Sequence, residues 1–137
     1  MNKMLKNSFK LDGTSLLVTG GTGSFGQRFT ATVLKRYNPR RLIIFSRDEH
    51  KQYNMQQLPA FSGADNIRYF IGDIRDVDRL RMAMRDVDYV FHAAALKHVP
   101  IIEYNPFEAI KTNVIGSQNV IDACLEEDVE KAICIGT

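Results

Sequence analysis

Residues able to do chemistry cluster first at Thr19-Gly20-Gly21-Thr22-Gly23-Ser24-Phe25-Gly26. Gly21, Gly23 and Gly26 take the G-x-G-x-x-G spacing, and Gly20 makes the same stretch read T-G-x-x-G-x-x-G. Glycines here let the backbone approach a pyrophosphate that side chains would hold off. They also let a helix pack tightly, with its N-terminal N–H groups aimed at the phosphates. The motif carries weight only between a strand and a helix. Before it, Ser15-Leu16-Leu17-Val18 is a short apolar run of the kind a buried strand has. After it, Phe25, Phe29, Val33 and Leu34 recur at helical spacing to near Tyr37. The competing reading is a glycine-rich turn that holds no ligand.

A second group follows the apolar run Leu42–Phe45: Ser46, Arg47, Asp48, Glu49, His50 and Lys51. In a dinucleotide fold this loop meets the adenosine ribose, where an acidic residue signals NAD and an arginine accommodates a 2′-phosphate. Arg47 comes before Asp48, and a guanidinium forks onto phosphate oxygens. The spacing therefore favours NADP over NAD. The alternative leaves Arg47 and Lys51 as solvated charges paired with Asp48 and Glu49, although such exposed pairs stabilise little. Gly72-Asp73-Ile74 ends a third apolar run. The Asp73 carboxylate is placed to accept from an adenine amino group, or else to cap a helix starting near Asp76. After a fourth run, Ala93, Ala94 and Ala95 permit close approach of a cofactor, and Lys97 is set over the mouth of the site. There it would reach a diphosphate or a hydroxyl-rich substrate. His92 reads as a hydrogen-bonded strand residue, and His98 is left open. No metal cluster, carboxylate pair or nucleophile triad is visible.

These groups need a scaffold, and the chain supplies strand and helix patterns in alternation. Strands are expected at Ser15–Val18, Leu42–Phe45, Ile67–Ile71, Tyr89–His92 and Ala132–Ile135. Helices are expected after the glycine loop and around Asp48–Leu58, Val77–Arg85 and Pro106–Glu126, with Leu58–Asn66 a surface connection. Such alternation predicts an α/β fold, a Rossmann-type doubly wound parallel sheet of order 3-2-1-4-5. Residues 1–12 read as a leader and 13–137 as one NADP-binding domain. A net charge of +2 without a basic block argues against nucleic acid or an anionic membrane as partner. No apolar run approaches the roughly 18 residues of a membrane helix. Cys124 and Cys134 have no metal or redox spacing and are expected as small core residues of a cytoplasmic protein.

Taken together, Thr19–Gly26, Phe45–Glu49, Phe70–Asp76, His92–Pro100, Glu103–Pro106 and Lys111–Asn113 resemble one known group. It is the inverting UDP-N-acetylglucosamine 4,6-dehydratases, within the extended short-chain dehydrogenase/reductases. The resemblance covers nearly everything after the leader, and the stretch Ala-Ala-Ala-Leu-Lys-His-Val-Pro is its most specific part. It implies NADP binding by Gly20, Thr22, Gly23, Ser24, Phe25 and Gly26, and along Ser46–Lys51. It further implies adenine contacts at Asp73 and Ile74, and nicotinamide-side contacts at Ala93 and Ala94. Lys97 matches a lysine that touches cofactor or sugar nucleotide. Ile135 and Gly136 match cofactor contacts on the fifth strand; the family usually has serine at the latter position, so only a backbone contact survives there. Thr137 matches the active-site hydroxyl that helps polarise the sugar C4 oxygen.

The family's reaction oxidises C4, loses water across C5 and C6, and returns hydride to C6 with inversion at C5. It serves bacterial polysaccharide and pseudaminic acid synthesis. An Asp-Lys pair and a Tyr-x-x-x-Lys motif follow the matching threonine in that family, whereas this sequence ends at Thr137. The expectation is a fold truncated after its fifth strand, which binds cofactor without turning over. A homo-oligomer is also expected, through the Pro106–Glu126 helix or through the edge of the last strand. Two rivals stand: another sugar-nucleotide enzyme such as an epimerase, and a non-catalytic NADP-binding module.

Overall fold

The computed structural model describes residues 11–93 and 106–135, without the side chains of 106–113. In chain order the elements are β1 (Ser15–Thr19), α1 (Ser24–Arg36), β2 (Arg41–Ser46), α2 (Glu49–Gln57) and α3 (Pro59–Ser62). There follow β3 (Ile67–Ile71), α4 (Val77–Ala83), β4 (Tyr89–His92), α5 (Pro106–Glu126) and β5 (Lys131–Cys134). The five strands form one sheet of order β3-β2-β1-β4-β5, parallel throughout. This is the doubly wound α/β arrangement expected from the alternation.

The side-chain period of a strand explains why helices lie on both faces. Leu16, Val18, Leu42 and Ile44 point to one side, where Val33 of α1, Met55 of α2 and Phe61 of α3 cover them. Leu17, Ile43, Phe45 and Val90 point to the other, against Leu80 of α4, Met84, and Val120, Ala123 and Cys124 of α5. Both faces are buried, so the central strands read as unbroken apolar runs instead of alternating ones.

Two local expectations change. The connection after Leu58 contains a helical turn, α3, with Pro59 at its start and Phe61 buried beneath it. Proline fixes the backbone for a first turn, and Phe61 then fills the core under β2 and β3. Cys134 is exposed, not a core residue, because β5 is an edge strand whose residues are largely uncovered among the described residues. Cys124 is buried as expected, and burial pushes its thiol up to about 11, which keeps it protonated and inert. Leu11 packs into the core, while the Asp12 carboxylate accepts from the Asn38 N–H at 2.7 Å.

Candidate functional site

All the candidate residues within the described chain lie at the C-terminal ends of the strands. The chain leaves β1 towards β2 and β3, then returns to place β4 on the other side of β1. The ends of β1 and β4 therefore flank the topological switch point, where open α/β sheets receive their ligands.

The glycine loop turns directly out of β1. Gly20 has φ +65°, the left-handed region that favours glycine, and its N–H donates to Phe45 O at 3.0 Å. A Cβ on Gly26 would lie 2.4 Å from the Gly21 Cα, and one on Gly21 would lie 2.7 Å from Ile44 Cγ2. Those two glycines are thus required by close packing of α1 on the sheet. Gly23 differs: a Cβ there would meet nothing nearer than Gly20 O at 3.5 Å, an ordinary contact. Packing does not require glycine at 23, and the space beside it is open to a ligand. Gly23 is also the N-cap of α1, with no side-chain cap bond and no acid in the first turn. The N–H groups of Ser24, Phe25 and Gly26 begin the helix, where no intrahelical acceptor exists and the helix dipole is positive. Gln27 Nε2 donates to Thr22 O at 2.9 Å and braces the loop from behind. This cradle fits a pyrophosphate.

At the end of β2, Arg47 has a side chain 66% exposed, and its Nη1 lies 3.9 Å from Asp73 Oδ2. Its acidic neighbour is therefore Asp73, across the sheet, and not Asp48 or Glu49. Asp48 caps α2, its Oδ1 accepting from the Lys51 N–H at 3.0 Å. Arg47, Asp48, Glu49, His50 and Tyr53 line an open hollow of about 740 Å³. Beneath them is a residue that sequence reasoning missed. Gln52 is 2% exposed, and its Nε2 donates to Ser46 O, Ser46 Oγ and Phe70 O at 3.1, 2.9 and 3.1 Å. It staples the end of β2 to the end of β3.

Asp73 does not cap α4; Asp76 does, accepting from the Arg79 N–H at 3.1 Å. Asp73 is gripped instead by Arg75, whose Nη2 donates at 2.8 Å and whose backbone N–H donates at 2.9 Å. The hydrogen bond from the Arg75 side chain holds the Asp73 carboxyl below its ordinary range, against the opposing effect of partial burial. Ile74 is held by α5: Asn119 Nδ2 donates to its carbonyl at 3.0 Å, and its side chain fills the space above Gly116.

The ends of β1 and β4 are joined by neutral groups. Thr19 Oγ1 lies 2.6 Å from His92 Nδ1 and accepts from the Ala93 N–H at 3.0 Å. The other ring nitrogen, Nε2, lies 3.3 Å from Ser117 Oγ of α5. His92 is 1% exposed, and burial lowers its pKa, so the ring is neutral at pH 7. It is the hydrogen-bonded strand residue its position suggests. Ala93 is buried, and the Ile135 N–H donates to His92 O at 2.9 Å. Ala94, Lys97, His98, Gly136 and Thr137 lie outside the described residues. Among the described residues there is no cluster of three or more metal-ligating side chains and no helix long and apolar enough to cross a membrane.

Three relatives share this arrangement of sequence or fold. The inverting UDP-N-acetylglucosamine 4,6-dehydratase of Campylobacter jejuni subsp. jejuni serotype O:23/36 (strain 81-176) is 56% identical over 126 residues, 92% of this chain and 37% of that protein. The UDP-glucose 4-epimerase of Rickettsia akari (strain Hartford) is 46% identical over 126 residues, 90% of this chain and 36% of that protein. The crystal structure of DesIV, a dTDP-glucose 4,6-dehydratase from Streptomyces venezuelae with NAD and TYD bound, superposes with a TM-score of 0.75 at 27% identity. That superposition covers 86% of this chain and 38% of DesIV. The chain thus spans little more than a third of the length of the relatives it matches. One family model, described as polysaccharide biosynthesis protein, matches residues 16–137, and the chain belongs to that family.

Proposed function

We propose that this chain is the NADP-binding part of a nucleotide-sugar 4,6-dehydratase acting on UDP-N-acetylglucosamine. The observation that carries the cofactor reading is the pairing of an uncapped α1 N-terminus with the exposed Arg47 guanidinium at the end of the neighbouring strand. The amides of Gly23, Ser24 and Phe25 receive the pyrophosphate. Ser46, Arg47 and Lys51 take the 2′-phosphate, with Arg47 as its principal cation. Asp73 and the Ile74 backbone meet the adenine, and Ala93, Ala94 and Ile135 border the nicotinamide side. When bound, the dinucleotide supplies a hydride acceptor for the sugar C4 and the hydride returned to C6.

The sugar reading is supported by the 56% identity to the Campylobacter enzyme. Within it, Thr137 polarises the C4 oxygen, and Lys97 contacts the diphosphate. No Tyr-x-x-x-Lys occurs in the 137 residues, so the chain by itself binds dinucleotide and does not turn over. Self-association through α5 belongs to the same reading. Val114, Ile121 and Leu125 are exposed at helical spacing on one face, and such faces pack against another copy. A second reading, an epimerase, is favoured by the Rickettsia relative and is separated from the first by the product formed when the longer protein acts on its nucleotide sugar.

Calorimetric titration with NADP+ and NAD+ tests the cofactor assignment. The wild-type chain binds NADP+ more tightly, and Arg47→Ala lowers its NADP+ affinity about tenfold or more while leaving NAD+ nearly unchanged, as loss of a charge-assisted phosphate contact requires. Equal affinity for both dinucleotides in the wild type would overturn it.

A further inference from the structure

We propose that Thr19, His92 and Ser117 form a positioning relay that fixes the crevice floor for the nicotinamide half of the dinucleotide. The inference rests on the dinucleotide reading above. It goes beyond that reading by giving a role to three residues that touch neither phosphate nor adenine. With the pyrophosphate at the start of α1 and the adenosine over Arg47 at β2, the remaining half must cross the switch point towards β4. There the final residues of β1 and β4, Thr19 and His92, are paired to each other.

An apolar pair would fill the same space without needing hydrogen-bond partners. Packing alone therefore does not account for two buried polar side chains in the sheet, Thr19 and His92, linked to the part-buried Ser117 on α5. What the relay delivers is a fixed Ala93. Its N–H is shared between Thr19 Oγ1 at 3.0 Å and the Thr19 carbonyl at 3.3 Å, the hydroxyl being the nearer acceptor. Thr19 Oγ1 is held in turn by the His92 ring. His92 reaches α5 through Ser117, two residues before Asn119, which holds the Ile74 carbonyl on the adenine side. One helix therefore braces both halves of the crevice. Burial lowers the His92 pKa, so the ring is neutral and serves as a strut, not as a proton donor in exchange with solvent.

The test compares two ligands on the same chain. NADP+ spans the whole crevice, whereas adenosine 2′,5′-bisphosphate carries the group facing Arg47 but no nicotinamide half. Thr19→Val removes the hydroxyl at nearly constant shape and weakens NADP+ binding about tenfold, the effect of one buried hydrogen bond. Binding of the bisphosphate stays within about twofold of wild type, and Thr19→Ser restores NADP+. Ser117→Ala, at the far end of the relay, weakens NADP+ by about threefold and leaves the fold intact, so it decides the matter if Thr19→Val does not fold. Unchanged NADP+ affinity in both variants, or equal weakening of both ligands, overturns the relay. A wild-type chain that binds neither ligand instead contradicts the dinucleotide reading beneath it.

Discussion

At the ends of β2 and β3 charged groups stand wholly or partly open to solvent above the buried Gln52; at the ends of β1 and β4 the polar groups are neutral and buried. Arg47, Arg75 and Asp73 make up the first region, with side chains 66%, 53% and 28% exposed. Thr19 and His92, at 0% and 1%, make up the second. The difference is one of physical means. Exposed charges are screened by salt and stabilise the fold little, yet they attract a phosphate without rearrangement. Buried neutral hydrogen bonds hold geometry to a fraction of an ångström but answer only to shape and partner. Under the proposed dinucleotide reading, the rim chooses the ligand and the floor sets where it lies.

The glycine loop joins the two regions, and its glycines divide between them. Gly26 belongs to the packed side. Gly26→Ala puts a Cβ 2.4 Å from backbone that cannot yield, so it costs about 1–3 kcal/mol of stability or more in a urea titration and disrupts dinucleotide binding with it. Gly23 belongs to the open side. Gly23→Ala costs only about 0.5–1 kcal/mol of stability, the loss of a favoured N-cap residue, yet lowers NADP+ affinity about tenfold, because its methyl group stands where the pyrophosphate must approach. Equal stability losses at the two positions would erase the distinction between packed and open glycines.

A smaller effect separates floor from rim by pH. The His92 pKa is lowered from 6.5 by burial, so below pH 6.5 the unfolded chain takes up a proton that the folded chain does not. Stability consequently falls as the pH drops from 6.5 towards the folded value, by at most about 1.4 kcal/mol per pH unit, and His92→Gln removes this component. Asp73 at the rim acts in a different window. Its folded pKa is lowered from 3.8, so its contribution is present above that value and is lost only as the pH falls through the lower folded one. Urea midpoints measured from pH 7 to 5 thus report the floor alone of these two groups. A wild-type midpoint that is flat over that range, or one that His92→Gln leaves unaltered, would count against a buried neutral ring.

How much of this was legible in the sequence follows from the range of the interactions. The sheet order was, because unbroken apolar runs such as Leu42–Phe45 alternate with helix patterns, and handedness then leaves few topologies. Helix α5 was expected around Pro106–Glu126 and is found at Pro106–Glu126, because a helical pattern this long outweighs local ambiguity. The packing role of Gly26 and the placement of Arg47 at the end of β2 follow from local spacing. The bond between Thr19 and His92 spans 73 positions, and nothing local announces it. Gln52 escaped notice for the opposite reason: α2 is polar nearly all round, and only Gln52 and Met55 are buried in it. Asp73 was read as adenine acceptor or helix cap; Asp76 takes the cap, and the Arg75 clamp on Asp73 was not suggested by a two-residue separation. The exposure of Cys134 depends on being at a sheet edge, a property of the whole fold and not of its apolar neighbours in sequence.

The most direct test of the central claim, a dinucleotide laid across the strand ends, is NMR mapping of backbone amides on adding NADP+. The account predicts saturable shifts at Gly23, Ser24 and Phe25, at Ser46–Lys51, at Asp73 and Ile74, and at Ala93, with α3 and the exposed face of α5 unmoved. Shifts confined to other surfaces, or none at saturating NADP+, would contradict it.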